Sequence, residues 1–308
     1  MPRLLRSPRF GAAVAVALVL ALLPLWMSAY VLGVLTMAYY FGVFAMSWDL
    51  LFGYAGEVNF GPTFLIGLGA YVGGMLNTYT PVPMWLCIIL GALAAVIGGA
   101  LMALPALRLR GPYFGLITLV AVLILQQFIV IFAGATGGEI GLAVPDVLSV
   151  HTNPNYYYAL GFMLLSAAVL VAFARSPIGL ILEATGQDRI AAEALGFNVT
   201  KHKLLAFCLS AFFSGLAGAL TIFYLGTASV GTVVDIGVAV QIIIAAVLGG
   251  RRTIVGGALG AIFLIVAGEY LRPIGELSNF VVAALALAVL MFFPDGFLGY
   301  VMRRRKGP

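Results

Sequence analysis

The sequence predicts an all-α fold, a polytopic bundle of about ten (8–10) transmembrane helices with both termini in the cytoplasm. Of the 308 residues, 63% are hydrophobic and only 9% are charged, whereas soluble domains carry about 25% charged residues. Apolar runs of about 20 residues, the length that crosses a bilayer, recur along the chain. Lys and Arg collect in alternate loops. We therefore expect a single transmembrane domain over residues 1–308, surrounded by the lipid bilayer.

The apolar runs divide into ten predicted spans. Pro24 and Tyr30 leave almost no loop between the first two, and the two short spans near the end flank Gly249 and Gly250. The spans are placed at 11–29, 31–52, 58–78, 84–106, 113–133, 156–174, 204–224, 236–250, 254–271 and 277–293.

The orientation follows from the positive charges. With the N-terminus inside, all 16 Lys and Arg residues except Arg272 fall in cytoplasmic segments, as the positive-inside rule requires. Both termini are then cytoplasmic and the span count is even. A cleaved signal peptide ending near Ala29 is the alternative, but it would leave an odd count. Because the cations flank apolar runs, the net charge of +5 indicates a membrane surface and not nucleic acid.

The turn between the second and third predicted spans has an unusual composition. Residues 53–62 read GYAGEVNFGP, with three glycines and a proline close to the membrane boundary. Irregular backbone at membrane depth survives only when it is buried in protein or lines a watery cavity. Two interpretations remain open: a broken segment that lines a pathway, and a tight hairpin with Pro62 in the first turn of the next helix.

Small residues form faces on two neighbouring spans. Close helix packing is their expected role, because small side chains let transmembrane backbones approach each other. The glycines are Gly67, Gly69, Gly73 and Gly74 on the third span and Gly91, Gly98 and Gly99 on the fourth.

The segment 134–155 is the predicted extracytoplasmic loop. It is too long for a minimal connection and too polar to be buried in lipid. Long ordered loops are often functional, so it could receive an extracytoplasmic partner, although a passive surface loop explains it equally well. The residues expected at such a docking site are Thr136, Gly137, Gly138 and Glu139.

The longest predicted cytoplasmic loop, residues 175–203, contains a short helix. Asp188 is placed to cap its N-terminus, and Gly196 is placed to end it. A surface of small residues is suited to a groove on another protein, while an interfacial connector would need a bulkier apolar face. The small surface comprises Ala191, Ala192 and Ala194, beside the acidic Glu193.

Several motifs together resemble one family, the permeases of bacterial branched-chain amino acid ABC transporters. The matching pieces are in the family's order and cover nearly the whole chain: residues 53–62, RLRGPYFGLITL at 108–119, TGG at 136–138, the loop 176–203 and FPDG at 293–296. Permeases of this kind carry a cytoplasmic Glu-Ala-Ala-x-x-x-Gly signature that docks on an ATPase. Ala191, Ala192 and Gly196 match its spacing, while Ile190 stands where the signature has Glu.

The resemblance implies an importer of leucine, isoleucine, valine or related amino acids in the bacterial cytoplasmic (inner) membrane. Its other members would be a second homologous permease, two cytoplasmic ATPase subunits and an extracytoplasmic substrate-binding protein. Asp188, Ala191, Ala192, Glu193, Ala194 and Gly196 would form the ATPase-coupling helix. Substrate would cross at the interface with the second permease, and the expected lining residues are Asn59, Thr63 and Gln126.

The sequence predicts neither an enzyme nor a resident cofactor or metal. A phosphate-binding Gly-x-x-x-x-Gly-Lys-Ser/Thr loop is missing from the sequence, so ATP would be bound by the partner subunits. Cys87 and Cys208 lie in apolar runs without a neighbouring His or Cys at ligand spacing. A stand-alone ion-coupled secondary transporter of small polar solutes is the alternative, but the spans carry no paired ionisable groups at mid-membrane.

Overall fold

The structure is a computed structural model that describes residues 8–107, 113–275 and 284. The first part of the 108–119 motif, the motif at 293–296 and, apart from Ala284, the predicted span 277–293 lie outside the described residues.

Helices make up nearly all of the described chain. Two very short strands, β1 (Leu142–Ala143) and β2 (Thr227–Ala228), pair antiparallel, and a π-helix over Leu50–Ala55 extends the second helix. The α-helices are α1 (Pro8–Leu22), α2 (Ala29–Asp49), α3 (Pro62–Tyr79), α4 (Met84–Ala106), α5 (Tyr113–Ile131), α6 (Ala133–Thr136), α7 (Thr152–Ala174), α8 (Pro177–Gln187), α9 (Arg189–Ala194), α10 (Val199–Leu225), α11 (Val230–Val233), α12 (Ile236–Gly249) and α13 (Val255–Leu271).

Each predicted span before residue 277 corresponds to a helix, which confirms an all-α, multi-pass membrane fold. Six of the described helices are long and apolar enough to cross a bilayer by these criteria alone: Ala29–Ala55, Met84–Ala106, Tyr113–Ile131, Thr152–Ala174, Val199–Leu225 and Val230–Gly249. The span count of about ten and the cytoplasmic position of the termini stay predictions.

The centre of the bundle is the packing of α3, α4 and α10. A Cβ atom on Gly69 of α3 would overlap the carbonyl oxygen of Gly215 in α10, and one on Gly91 of α4 would overlap the carbonyl oxygen of Gly69. Backbones therefore touch directly at this point, which confirms the close packing predicted for these glycines. The helix α2 packs against α13, α7, α10 and α12.

The helix α1 is joined to α7 by tyrosine hydroxyl groups. Pro24 has no backbone N–H to donate to the carbonyl of Leu20, four residues earlier. The hydroxyl of Tyr156 donates to that carbonyl at 2.7 Å, and the hydroxyl of Tyr157 donates to the next one, Ala21, at 3.1 Å. Pro24 thus also frees the Leu20 carbonyl that attaches α1 to the bundle.

The bundle has two chemically different ends. Arg175, Arg189, Lys201, Lys203, Arg251 and Arg252 lie at one end, which we call the basic end, together with α8, α9 and the last turns of α2. The opposite end, which we call the loop end, carries β1 and β2. There Arg272 pairs with Glu269 at 3.0 Å, and the hydroxyl of Tyr30 at the start of α2 bonds the same carboxylate.

The segment 53–62 forms a tight hairpin. The chain leaves the π-helix at Gly56, which has a left-handed φ of 71°, and re-enters helical geometry at Pro62 in the first turn of α3. Proline suits this position because its missing N–H has no intrahelical partner there. The structure therefore has the tight turn with Pro62 in the first turn of α3, directly after the π-helix, and a pathway-lining role of this segment stays a prediction.

Replacing Gly69 by alanine should lower the free energy of unfolding by about 1–3 kcal/mol, because the added methyl group would overlap the α10 backbone. The thermal unfolding midpoint of the protein purified in detergent measures this loss. Gly161→Ala in α7 is the matched control, since its Cβ would meet nothing within 4 Å. Equal midpoints for the two variants would contradict a close-packed centre.

Candidate functional site

The short helix predicted at the basic end is present as α9. The carboxylate of Asp188 accepts from the backbone N–H groups of Ile190 and Ala191 at 2.9 and 3.0 Å, which satisfies two free donors of the first turn. Gly196, with a φ of 87°, lies just after the helix in the left-handed region that non-glycine residues rarely adopt. Both capping predictions are confirmed, while the docking role of this helix stays a prediction.

The outward surface of α9 is more apolar than its alanines indicate. Ala192 is buried against the chain itself, whereas Ala191, Glu193, Ala194 and Gly196 are exposed. Beside them, Ile190 and Leu195 are 74% and 76% exposed. The sequence does not single out these two side chains, although Ile190 departs from the family signature. A large apolar side chain that flanks a capped short helix was the available signal.

The helix α8 rests on the hairpin 53–62 through two glycines. A Cβ atom on Gly56 would lie 3.1 Å from the Cα of Gly186, and one on Gly186 would lie 2.6 Å from the carbonyl oxygen of Tyr54. Two backbones therefore meet without side chains between them. This contact places the end of α8, and α9 after it, directly on the turn that joins α2 to α3.

An ion pair joins the same hairpin to α10. The ammonium of Lys203 lies 2.6 Å from the Glu57 carboxylate, and both side chains are largely shielded from solvent. A charge in such a place is costly without its partner. The pair therefore fixes the start of α10 relative to the hairpin.

The other residues of the hairpin are held by polar contacts. Asn59 is buried: its carbonyl accepts from the indole N–H of Trp48 at 2.6 Å, and its side-chain oxygen accepts from the N–H of Gly61 at 2.8 Å. The N–H of Phe60 donates to the hydroxyl of Thr118 in α5 at 3.0 Å. Asn59 thus shapes the turn, and its assignment to a translocation pathway stays a prediction.

The two other predicted pathway residues have different surroundings. Thr63 is fully buried at the start of α3, and its hydroxyl has no hydrogen-bond partner. The side-chain amide of Gln126 donates to the carbonyl of Val234, next to α11, at 3.1 Å. None of these three side chains lines the cavity between the hairpin and α8–α9, and their assignment to a translocation pathway stays a prediction.

A cavity of about 680 Å³ lies between the hairpin and α8–α9. Its walls combine exposed backbone at glycines with side chains of both charges. The lining residues are Ala55, Gly56, Glu57, Val58, Phe60, Gly115, Thr185, Gly186, Gln187, Asp188, Arg189, Ile190, Glu193 and Lys203. Because the paired residues Glu57–Lys203 and Arg189–Glu193 supply most of its charge, the cavity is polar without a strong net charge.

At the loop end, the residues predicted to dock a binding protein have different exposures. The buried Thr136 donates to the carbonyl of Ile129 at 2.6 Å and accepts from the N–H of Gly138, while Gly137 has a left-handed φ of 76°. These three residues build the turn, and Glu139 is exposed. Ile140 beside it is 95% exposed and was not predicted from the sequence. The docking role of the segment stays a prediction.

Replacing Lys203 by methionine should lower the free energy of unfolding by about 1–3 kcal/mol, because Glu57 would keep a partly buried, unpaired charge. The double variant E57Q/K203M, which removes both charges, should recover most of the loss in a double-mutant cycle of unfolding free energies. Lys201→Met, an exposed position in the same helix, is the control. An equal effect at positions 201 and 203 would show that the pair contributes nothing.

Comparison with known proteins shows which family the sequence resembles. The family described as the permease component of branched-chain amino acid transport systems matches residues 30–293. The chain is 27% identical to the high-affinity branched-chain amino acid transport system permease protein LivM of Salmonella typhimurium, over 85% of this chain and 68% of that protein. Identity to LivM of Escherichia coli is 28%, over 86% and 68%.

A second type of permease is also similar. The high-affinity branched-chain amino acid transport system permease protein LivH of Salmonella typhimurium is 24% identical, over 84% of this chain and 91% of that protein. No solved structure matches the chain. Since the family match covers most of the sequence, this chain belongs to the family of branched-chain amino acid transport system permease components.

Proposed function

We propose that this chain is the transmembrane permease subunit of an ABC importer that carries leucine, isoleucine, valine or related amino acids into the cell. The observation that carries the proposal is the family match over residues 30–293, and LivM and LivH, the similar proteins, are permeases of branched-chain amino acid transport. The chain itself would be no enzyme and would hold no cofactor, because partner ATPase subunits would bind and hydrolyse ATP.

The basic end faces the cytoplasm in this proposal. Within residues 113–275, every Lys and Arg except Arg272 lies at the basic end. Cytoplasmic loops of membrane proteins carry the excess of Lys and Arg. The loop end then faces outward. The protein would reside in the bacterial cytoplasmic membrane with both termini inside.

The surface of α9 is the proposed ATPase contact. Ile190, Ala191, Ala194 and Leu195 are exposed together on a six-residue helix that is capped at both ends. The caps stabilise the helical conformation of this segment. Its exposed apolar side chains would be stabilised further when a groove on a partner protein covers them. Motion of the ATPase would pass through α8 to the hairpin 53–62.

The loop end is the proposed contact for the substrate-binding protein. Glu139 and Ile140 project from a turn whose backbone is fixed by Thr136 and by the pairing of β1 with β2. A rigid, exposed tip can be recognised without ordering a flexible loop first. Substrate would then cross at the interface with a second, homologous permease, where Asn59, Thr63 and Gln126 remain the candidate lining residues.

Uptake of radiolabelled leucine into proteoliposomes tests the function directly. The assembly is purified from its native membrane in mild detergent and reconstituted with its binding protein. We expect uptake only when ATP is present on the side of the membrane that carries the ATPase subunits and the binding protein is present on the other side. Uptake by this chain alone, driven by a proton or sodium gradient, would contradict the proposal and identify a secondary transporter.

Replacing one exposed apolar side chain by arginine on each proposed docking surface should distinguish the ATPase contact from the binding-protein contact. Leu195→Arg at the basic end should strongly reduce the ATPase that is recovered with the permease but leave binding-protein attachment intact. Ile140→Arg at the loop end should do the reverse. Mass spectrometry of the purified assemblies measures both. If each variant retained its full set of partners, both surfaces would be wrongly assigned.

A further inference from the structure

In the turn between α12 and α13, the side chain of Arg252 contacts two other segments at the basic end. The guanidinium of Arg252 donates from Nε to the carbonyl oxygen of Gly53 at 2.9 Å and from Nη1 to the carboxylate of Glu183 in α8 at 3.2 Å. The hydroxyl of Tyr54 donates to the carbonyl of Arg252 at 3.0 Å. Three parts of the chain, namely α8, the hairpin and this turn, therefore meet at Arg252.

The backbone that carries Arg252 is unusually constrained. Arg252 and Ile254 have positive φ angles of 63° and 52°, and they are the only described non-glycine residues that do. The carboxylate of Asp49, which is 1% exposed, accepts from the N–H groups of Arg252, Thr253 and Ile254 at 3.1, 3.1 and 2.9 Å. Strained conformations persist only where the surroundings enforce them, so the end of α2 holds this turn in one conformation.

The neighbouring arginine has no such role. The guanidinium of Arg251 lies 4.7 Å from the ring centre of Phe52, and the side chain is exposed. It carries the same charge one residue away, but it lies against the π-helix and makes no ion pair with the described part of α8. The specific feature of Arg252 is therefore the link to Glu183, the only hydrogen bond or ion pair between α8 and the α12–α13 turn among the described residues.

We propose that Arg252 is a positioning residue that fastens α8 to the α12–α13 turn, so that movement of the α8–α9 segment is passed to α12 and α13. This inference rests on the proposed function, in which that segment receives the motion of the ATPase. The hairpin contact at Gly186 and the Glu57–Lys203 pair lead to α2, α3 and α10. Arg252 adds a direct contact between α8 and the turn that joins α12 to α13.

Arginine is suited to this role for a geometric reason. Its planar guanidinium presents donors in a fixed fork, so one side chain can bind the Gly53 carbonyl and the Glu183 carboxylate in a defined relative position. A lysine has one compact ammonium on a flexible chain and can keep the charge without keeping the geometry. The two residues therefore give different predictions for coupling.

The first test compares transport with ATP hydrolysis in the reconstituted importer. Arg252→Gly removes the guanidinium but suits the left-handed backbone, and we expect about a tenfold fall in leucine transported per ATP hydrolysed. Hydrolysis stimulated by the binding protein should persist. Arg252→Lys should recover part of the ratio, and Glu183→Gln should lower it. The control Arg251→Ala should match the unmodified protein. An unchanged ratio in Arg252→Gly would overturn the proposal.

The second test does not depend on transport. Spin labels are placed at the exposed positions Leu180 in α8 and Val255 in α13, after Cys87 and Cys208 have been replaced by serine. Pulsed dipolar spectroscopy should give a narrow distribution of label-to-label distances in the protein that retains Arg252 and in the Arg251→Ala control. The Arg252→Gly variant should give a broader or shifted distribution. Identical distributions would overturn the fastening. If the unmodified assembly failed to transport leucine, the proposed function would be wrong. The distance measurement would still decide whether Arg252 holds α8 against the α12–α13 turn.

Discussion

A backbone N–H or C=O that leaves its helical hydrogen bond inside a bilayer must find another partner within the protein, because lipid offers none. This constraint explains the polar side chains at each break in the bundle. Tyr156 supplies a donor for the carbonyl released by Pro24, and Thr118 supplies an acceptor for the hairpin. Asp49 accepts from three consecutive N–H groups of the α12–α13 turn. Breaks in helices thus become fixed points of contact between distant segments.

At the basic end these fixed points coincide with the proposed route of mechanical coupling. The end of α2, the hairpin, α8 and the α12–α13 turn are joined by hydrogen bonds and by the ion pairs of Lys203 and Arg252. Such polar contacts are directional, unlike apolar packing, which tolerates sliding. In the proposed function, a displacement of α9 would reach the membrane helices through a small number of defined contacts.

The middle of the bundle is built differently. There, α3, α4 and α10 approach so closely at Gly69, Gly91 and Gly215 that the backbones touch, and packing takes the place of polar contacts. Helices such as α4 and α5 instead leave many large apolar side chains exposed, as expected for surfaces that face lipid or a second permease.

The sequence by itself determined the helical class, the placement of the described spans, the caps at Asp188 and Gly196, and the family, because these depend on local composition, spacing and motif order. It left the hairpin 53–62 undecided, since proline and glycine allow a broken helix as well as a turn. Only the tertiary structure decided that Asn59 shapes that turn, that Ala192 is buried while Ile190 and Leu195 are exposed, and that Asp49 and Arg252 meet across about two hundred residues. These features arise between segments distant in sequence, where no local pattern records which side chain will lie opposite which backbone group.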